Sequence, residues 1–252
     1  MNSINNLLVK IENAKSLDFG DILSESIELF KKVWVQGLVM LLLTLVILIP
    51  FYLIMYLPLI GLGFLQSSEA YMNEDFNMLL IVPVSLFVFI FALVAMVISF
   101  GMKASFYRIC MHKDLNIAGS DDYFYYLKRP YLIKVIALSL ITFGISLLAT
   151  LLCVLPLIYV MVPLTLINVI FAFNPHLSAS EIVKAGFKLG NKKWLLTFGL
   201  ILISSFLSQM VGILMCGIGI FVTASFAHLP AYFIYKGAVG VEAVDELSRL
   251  ED

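Results

Sequence analysis

Apolar residues along this chain are grouped in long uninterrupted stretches, separated by shorter segments in which polar and apolar positions alternate with helical spacing. Four stretches are almost free of charge: Val33 to Ile60, Leu79 to Met102, Leu132 to Phe173 and Leu195 to Tyr235. A hydrocarbon core about 30 Å thick takes about 20 apolar residues of helix. The first two stretches therefore hold one span each. The last two, at roughly 40 residues or about 60 Å of helix, are twice the needed length and must fold back. Cys153-Val-Leu-Pro156 and Cys216-Gly-Ile-Gly219 supply the mid-stretch Pro and Gly that punctuate helices. The pattern predicts an all-α polytopic membrane protein of 252 residues in a single domain, with six spans at about 33–60, 79–102, 132–153, 156–173, 195–215 and 218–235.

The polar segments carry helices of their own. Across residues 18–32, Phe19, Ile22, Leu23, Ile27 and Phe30 share one helical face, and Asp21, Glu25, Glu28 and Lys31 the other. Residues 178–190 repeat the design, with Ser178 and Glu181 at capping-box spacing before Ile182, Val183 and Phe187. The two segments align at one constant offset, pairing Asp21 with Glu181, Lys32 with Lys192 and Trp34 with Trp194. Residues 120–130 offer a third version, with a Ser cap, clustered Tyr and a basic pair. The expected unit is an interfacial amphipathic helix followed by a two-span hairpin, occurring three times.

Composition agrees with burial in lipid. Hydrophobic residues make up 62% of the chain and charged ones 13%, and the mean hydropathy is +1.02, which excludes a disordered chain, a secreted disulfide scaffold and a nucleic-acid binder. All 16 Lys and Arg fall in the segments assigned to one side of the membrane or at their borders. Residues 61–78, the one sizeable loop on the other side, hold Glu69, Glu74 and Asp75 and no Lys or Arg. The positive-inside rule then places both termini in the cytoplasm of a bacterial inner-membrane protein. The first thirty residues lack the apolar core of a cleaved signal, so the first span is expected to act as an uncleaved anchor. Cys110 is assigned to the cytoplasmic side. Cys153 and Cys216 are assigned near the outer surface, where they either pack or form a disulfide.

The entry Asp18-Phe-Gly-Asp-Ile-Leu-Ser-Glu-Ser-Ile-Glu-Leu-Phe-Lys-Lys32, the segment Ser180-Glu-Ile-Val-Lys-Ala-Gly-Phe-Lys-Leu-Gly-Asn-Lys-Lys-Trp194 and the late Cys216-Gly-Ile-Gly-Ile-Phe-Val-Thr223 with its Tyr235-Lys236 exit resemble a broad group of bacterial integral-membrane proteins. That group is similar to the membrane domain attached to some glycerophosphodiester phosphodiesterases, and some members are labelled carotene oxygenases. The resemblance implies a six-helix inner-membrane protein and transfers no catalytic residue.

The polar residues that remain limit the chemistry open to the chain. Iron held for carotene cleavage would need several converging His, and of His112, His176 and His228 only His228 falls within a span. A phosphodiesterase would need a soluble constellation that no cytoplasmic segment is long enough to fold. Ser204, Ser205, Ser208 and Ser225 share two spans with His228, the minimum for a nucleophile and base. The four stretches contain no Asp or Glu, which argues against proton-coupled transport. The reading that follows has no catalytic residue, cofactor or metal site. It is a lipid-organising protein whose Lys31, Lys32, Trp34, Lys128, Arg129, Lys192, Lys193 and Trp194 meet anionic headgroups, with a membrane-protein partner or a second copy as further candidates. A passive or lipid-handling transporter is the alternative, and an intramembrane hydrolase or oxygenase comes third. His228, Gln209 and Asn168 form the candidate polar site within the membrane.

Overall fold

The computed structural model describes residues 4–65, 74–152, 154–215 and 217–241, with side chains at 55, 57–65, 74–81, 154 and 218 excepted. These residues form α1 (Ile4–Glu12), α2 (Phe19–Leu65), α3 (Glu74–Asp114), a 3-10 turn (Tyr125–Leu127), α4 (Arg129–Leu151), α5 (Val154–Phe173), α6 (Ala179–Lys192), α7 (Trp194–Leu214), α8 (Ile218–Thr223), a 3-10 segment (Ala224–His228) and α9 (Leu229–Val239). Among the described residues there is no strand. Five helical segments are long and apolar enough to cross a membrane: Phe19–Ile54, Val82–Asp114, Arg129–Leu151, Leu155–Phe173 and Trp194–Leu214.

Several expected boundaries move. Residues 18–32 and 33–60 do not separate into an interfacial helix and a span; they are one helix of 47 residues, about 70 Å long. Nothing between Lys31 and Gly37 breaks helical geometry, and the start is set by Asp18, whose Oδ1 accepts from the Gly20 and Asp21 amides at 2.7 and 3.1 Å. The span expected at 79–102 likewise continues to Asp114, so Lys103, Arg108 and Lys113 belong to a helix rather than to a loop.

The helix expected at 120–130 is absent. Asp122 Oδ1 accepts from the Phe124 amide at 3.0 Å, a local turn that competes with helix formation, and Lys128, close before Pro130, is extended. A single 3-10 turn remains, held by its aromatics. Tyr126 is fully buried and donates to the Ala172 carbonyl at 2.5 Å, while the Arg108 guanidinium lies 4.1 Å from the Tyr125 ring centre.

The span expected at 218–235 is broken into α8, the 3-10 segment and α9. Pro230 has no N–H to continue an α-helical ladder, and the 3-10 geometry ends just before it. At the preceding turn Gly217 takes φ of +83°, a conformation open to glycine without a Cβ clash. Residues 178–190 do form the expected amphipathic helix. Ser178 caps α6, and its backbone and hydroxyl both meet the Glu181 carboxylate, at 2.8 and 2.7 Å. Helix α1 is an additional element ahead of the helix expected from residue 18. Cys153, Cys216 and the centre of the 61–78 loop lie outside the described residues, and Cys110 is a free thiol buried in α3.

Well-packed side chains concentrate at one end of the bundle, where α1, α6, α9, the N-terminal part of α2 and the C-terminal parts of α3 and α5 meet. The opposite end exposes large apolar side chains, among them Leu151 at 73%, Leu155 at 78% and Leu214 at 78%. With Ile133 at 80% and Leu195 at 77% toward the other end, they give the long helices an apolar outer surface that suits a lipid environment.

Candidate functional site

Two of the six basic residues proposed for headgroups, Lys192 and Lys193, are spent on the protein's own carbonyls. The Lys192 ammonium donates to the carbonyl of Glu12, the last residue of α1, and Lys193 donates to the Lys15 carbonyl. Carbonyls at a helix C-terminus have no helical partner, so cations placed there satisfy them and complement the dipole. Lys188 pairs with the Glu12 carboxylate, and that bond holds the acid below its usual range. Together these lysines clamp α1 onto α6. Burial in turn pulls the Lys193 ammonium below its ordinary value.

Lys128 is held by Asp122 at 2.5 Å, and Lys31 by Glu28 at 2.5 Å on an exposed face. Lys32 and Arg129 are exposed, as is Trp34 at 42%. Trp194 has an internal task. Pro163 cannot donate to the Tyr159 carbonyl one turn before it, and the Trp194 indole N–H takes that carbonyl at 3.0 Å. Its ring stacks on Phe198 with centres 4.8 Å apart.

The three polar residues expected within the membrane are split. Gln209 is exposed on α7, away from the others. Asn168 and His228 both line a partly open cavity of about 560 Å³, walled by α3, α4, α5, α7 and the 3-10 segment before α9. This is within the range of ~300–1,000 Å³ typical of small-molecule pockets. Lys103, Tyr107, Ser99, Thr142, Ser146, Thr165 and Ser205 add polar groups to the lining, which among the described residues holds no carboxylate. The apolar wall includes Met96, Leu157, Met161, Leu164 and Ile201.

Lys103 is one of the 16 basic residues whose distribution marks topology. Its place in the cavity follows from helical spacing, since Met96, Ser99, Phe100, Lys103 and Tyr107 fall on one stripe of α3. The stripe could be found from sequence once α3 is continued past Met102.

The polar groups differ in what they leave free. Thr142 donates to Ser139 O at 3.0 Å, Ser146 to Thr142 O at 2.9 Å and Thr165 to Met161 O at 2.9 Å, so these hydroxyl protons are spent within their own helices. The Asn168 amide nitrogen donates to Phe100 O at 2.9 Å, bracing α5 against α3, and its buried oxygen has no hydrogen-bond partner among the described residues. Among those residues no carboxylate pairs with Lys103. Ser205 and His228 line the same space, yet among the described residues no hydrogen bond joins them. Nor do three or more His, Cys, Asp or Glu there converge as metal ligands.

The site is therefore a cavity among long apolar helices, in an all-helical chain with five segments of membrane-crossing length and composition. Compared with family models, curated proteins and solved structures, the chain matches none.

Proposed function

We propose that this chain is a bacterial inner-membrane protein that takes up an amphiphile from the bilayer and holds it in the cavity between α3, α4, α5 and α7. Five of the crossings are the long apolar helices. The sixth is α8, the 3-10 segment and α9 taken together, and both termini lie in the cytoplasm, as the distribution of Lys and Arg supports. The reading is non-enzymatic: the cavity serves binding or passage.

The observation that carries the proposal is the lining itself, a largely apolar space of about 560 Å³ with its cation and ring nitrogen among the polar groups. A lipid-organising collar draws less support, because Lys128, Lys192 and Lys193 are occupied by the protein's own carboxylate and carbonyl groups. Lys31, Lys32 and Arg129 keep a contact with anionic headgroups as a secondary role.

The test is recovery of the bound molecule. Protein extracted into native lipid discs, transferred to detergent and analysed by mass spectrometry should retain an amphiphile at near one molecule per chain. Thr165→Phe places a ring in the cavity without touching a cytoplasmic lysine, and it should reduce that retention at least about tenfold, since the ring and the chain compete for one volume. Equal retention by a stable Thr165→Phe protein would refute the reading.

A further inference from the structure

The polar groups are not spread evenly around the cavity. α3 and α5 are locked at one level by the bond from Asn168 to Phe100 O and by the Phe100 and Phe171 rings, whose centres lie 5.8 Å apart. α4 is fixed on α3 where Val135 packs beside Gly101. From that level Lys103 and Tyr107 continue along α3 in one direction. Met96 on α3, Met161 and Leu157 on α5, and Ser146 on α4 extend in the other. Leu157 and Asn168 are eleven residues apart, about 16 Å of helix. The space is thus an elongated slot with Lys103, Tyr107, Asn168 and His228 toward one end and an aliphatic wall toward the other. Along that wall Thr142, Ser146 and Thr165 have already donated their protons to helix carbonyls and offer little to a headgroup.

An ammonium withdrawn from bulk water is costly unless an opposite charge shares its site. Among the described residues the cavity provides Lys103 with no such charge. We infer that the ligand supplies it: the occupant is an amphiphile with one acidic headgroup, a carboxylate or a phosphate monoester, seated against Lys103, with its hydrocarbon chain along Met96, Met161 and Leu157. Tyr107 and His228 flank the headgroup as further hydrogen-bonding groups. The slot's length and volume fit one chain rather than a whole diacyl lipid. This inference rests on the amphiphile-binding function proposed above and adds the chemical class of the ligand.

Four single-chain probes of equal length separate the alternatives in the purified full chain: a fatty acid, a monoacylglycerol phosphate, the matching fatty alcohol and a zwitterionic lysophosphatidylcholine. Competition against a fluorescent fatty acid gives each affinity. Both acidic probes, or one of them, should bind at least about tenfold more tightly than the alcohol, as expected for one charged hydrogen bond. Lys103→Met should erase that preference while leaving alcohol binding within about twofold, and Lys103→Arg should restore it. The better acidic probe identifies carboxylate or phosphate as the source.

An unchanged preference in Lys103→Met would overturn the assignment of the headgroup to Lys103 while leaving the cavity function standing, as would tightest binding of the alcohol. Equal binding of every probe by wild type and Thr165→Phe would overturn both. If Lys103→Met is recovered unfolded, the ratio of acid to alcohol affinity in Lys103→Arg and wild type decides, and a ratio near one in both counts against the inference.

Discussion

Gly190→Leu is expected to cost at least about 3 kcal/mol, at the upper end of what overpacking does to a close-packed interface. A Cβ at Gly190 would lie 3.0 Å from Pro163 Cα and 3.1 Å from Pro163 N, and these are backbone atoms in mid-helix that cannot swing aside. One turn earlier, a Cβ at Gly186 would meet Ile167 Cγ1 at 2.4 Å. Two glycines four residues apart thus admit the backbone of α5, itself presenting two residues four apart. This is the small-residue contact by which helices approach closely. The same movement would pull Trp194 from the Tyr159 carbonyl that Pro163 leaves open. Thermal unfolding in detergent should show a large fall in Tm or loss of monodisperse protein. Gly144→Leu is the control, because a Cβ there meets nothing within 4 Å; it should unfold within a few degrees of wild type. Equal stability of the two variants would contradict the close packing of α6 on α5.

Asp114→Ala is expected to cost roughly 2–3 kcal/mol. One carboxylate oxygen accepts from the Tyr232 hydroxyl at 2.7 Å and from the Lys236 ammonium at 2.6 Å, tying the end of α3 to α9. Removing it strands a buried phenol and a lysine only 34% exposed, and charged hydrogen bonds are worth about 1.5–3 kcal/mol each before solvent relieves the lysine. Asp114→Asn keeps an oxygen acceptor and should lose about half as much. Denaturant unfolding with limited proteolysis should show α9 released first in the Ala variant. A loss below about 0.5 kcal/mol would mean that this junction does not hold α9.

These two sites illustrate what sequence could reveal. The capping box at Ser178 and Glu181 is local, needs only its own four residues, and is found in place. The apolar helices are equally local, since twenty apolar residues without a break have few other destinations. The ends of α2 and α3 were less legible because charge marks where a helix leaves lipid, not where its hydrogen-bond ladder stops. Lys31 and Lys32 sit within an unbroken α2, and Lys103 within α3.

Tertiary pairing was not legible at all. The repeat aligns Lys32 with Lys192, yet Lys32 is exposed while Lys192 caps α1, a helix 180 residues away in sequence. The α1 stripe of Ile4, Leu7, Leu8 and Ile11 was there to be read, but its site on α6 depends on lysines that look like topology signals. The third version of the repeat shared a basic pair and aromatics with the other two, and its Asp-Asp turn and Pro130 prevented a helix. Of the polar candidates, Asn168 and His228 meet at one cavity because both face inward. Gln209, of similar chemistry, occupies the opposite face of α7 from Ser204 and Ser208.

The membrane arrangement decides whether that cavity lies in the bilayer, and the broken segment from Ile218 to Val239 decides the arrangement. Reporters active on only one side of the membrane, fused in turn to the N-terminus and to the C-terminus of the full chain, measure this directly. Six crossings predict that both ends report the cytoplasm; ends on opposite sides would leave an odd number of crossings and would contradict the packing of α9 beside α1 at one end of the bundle.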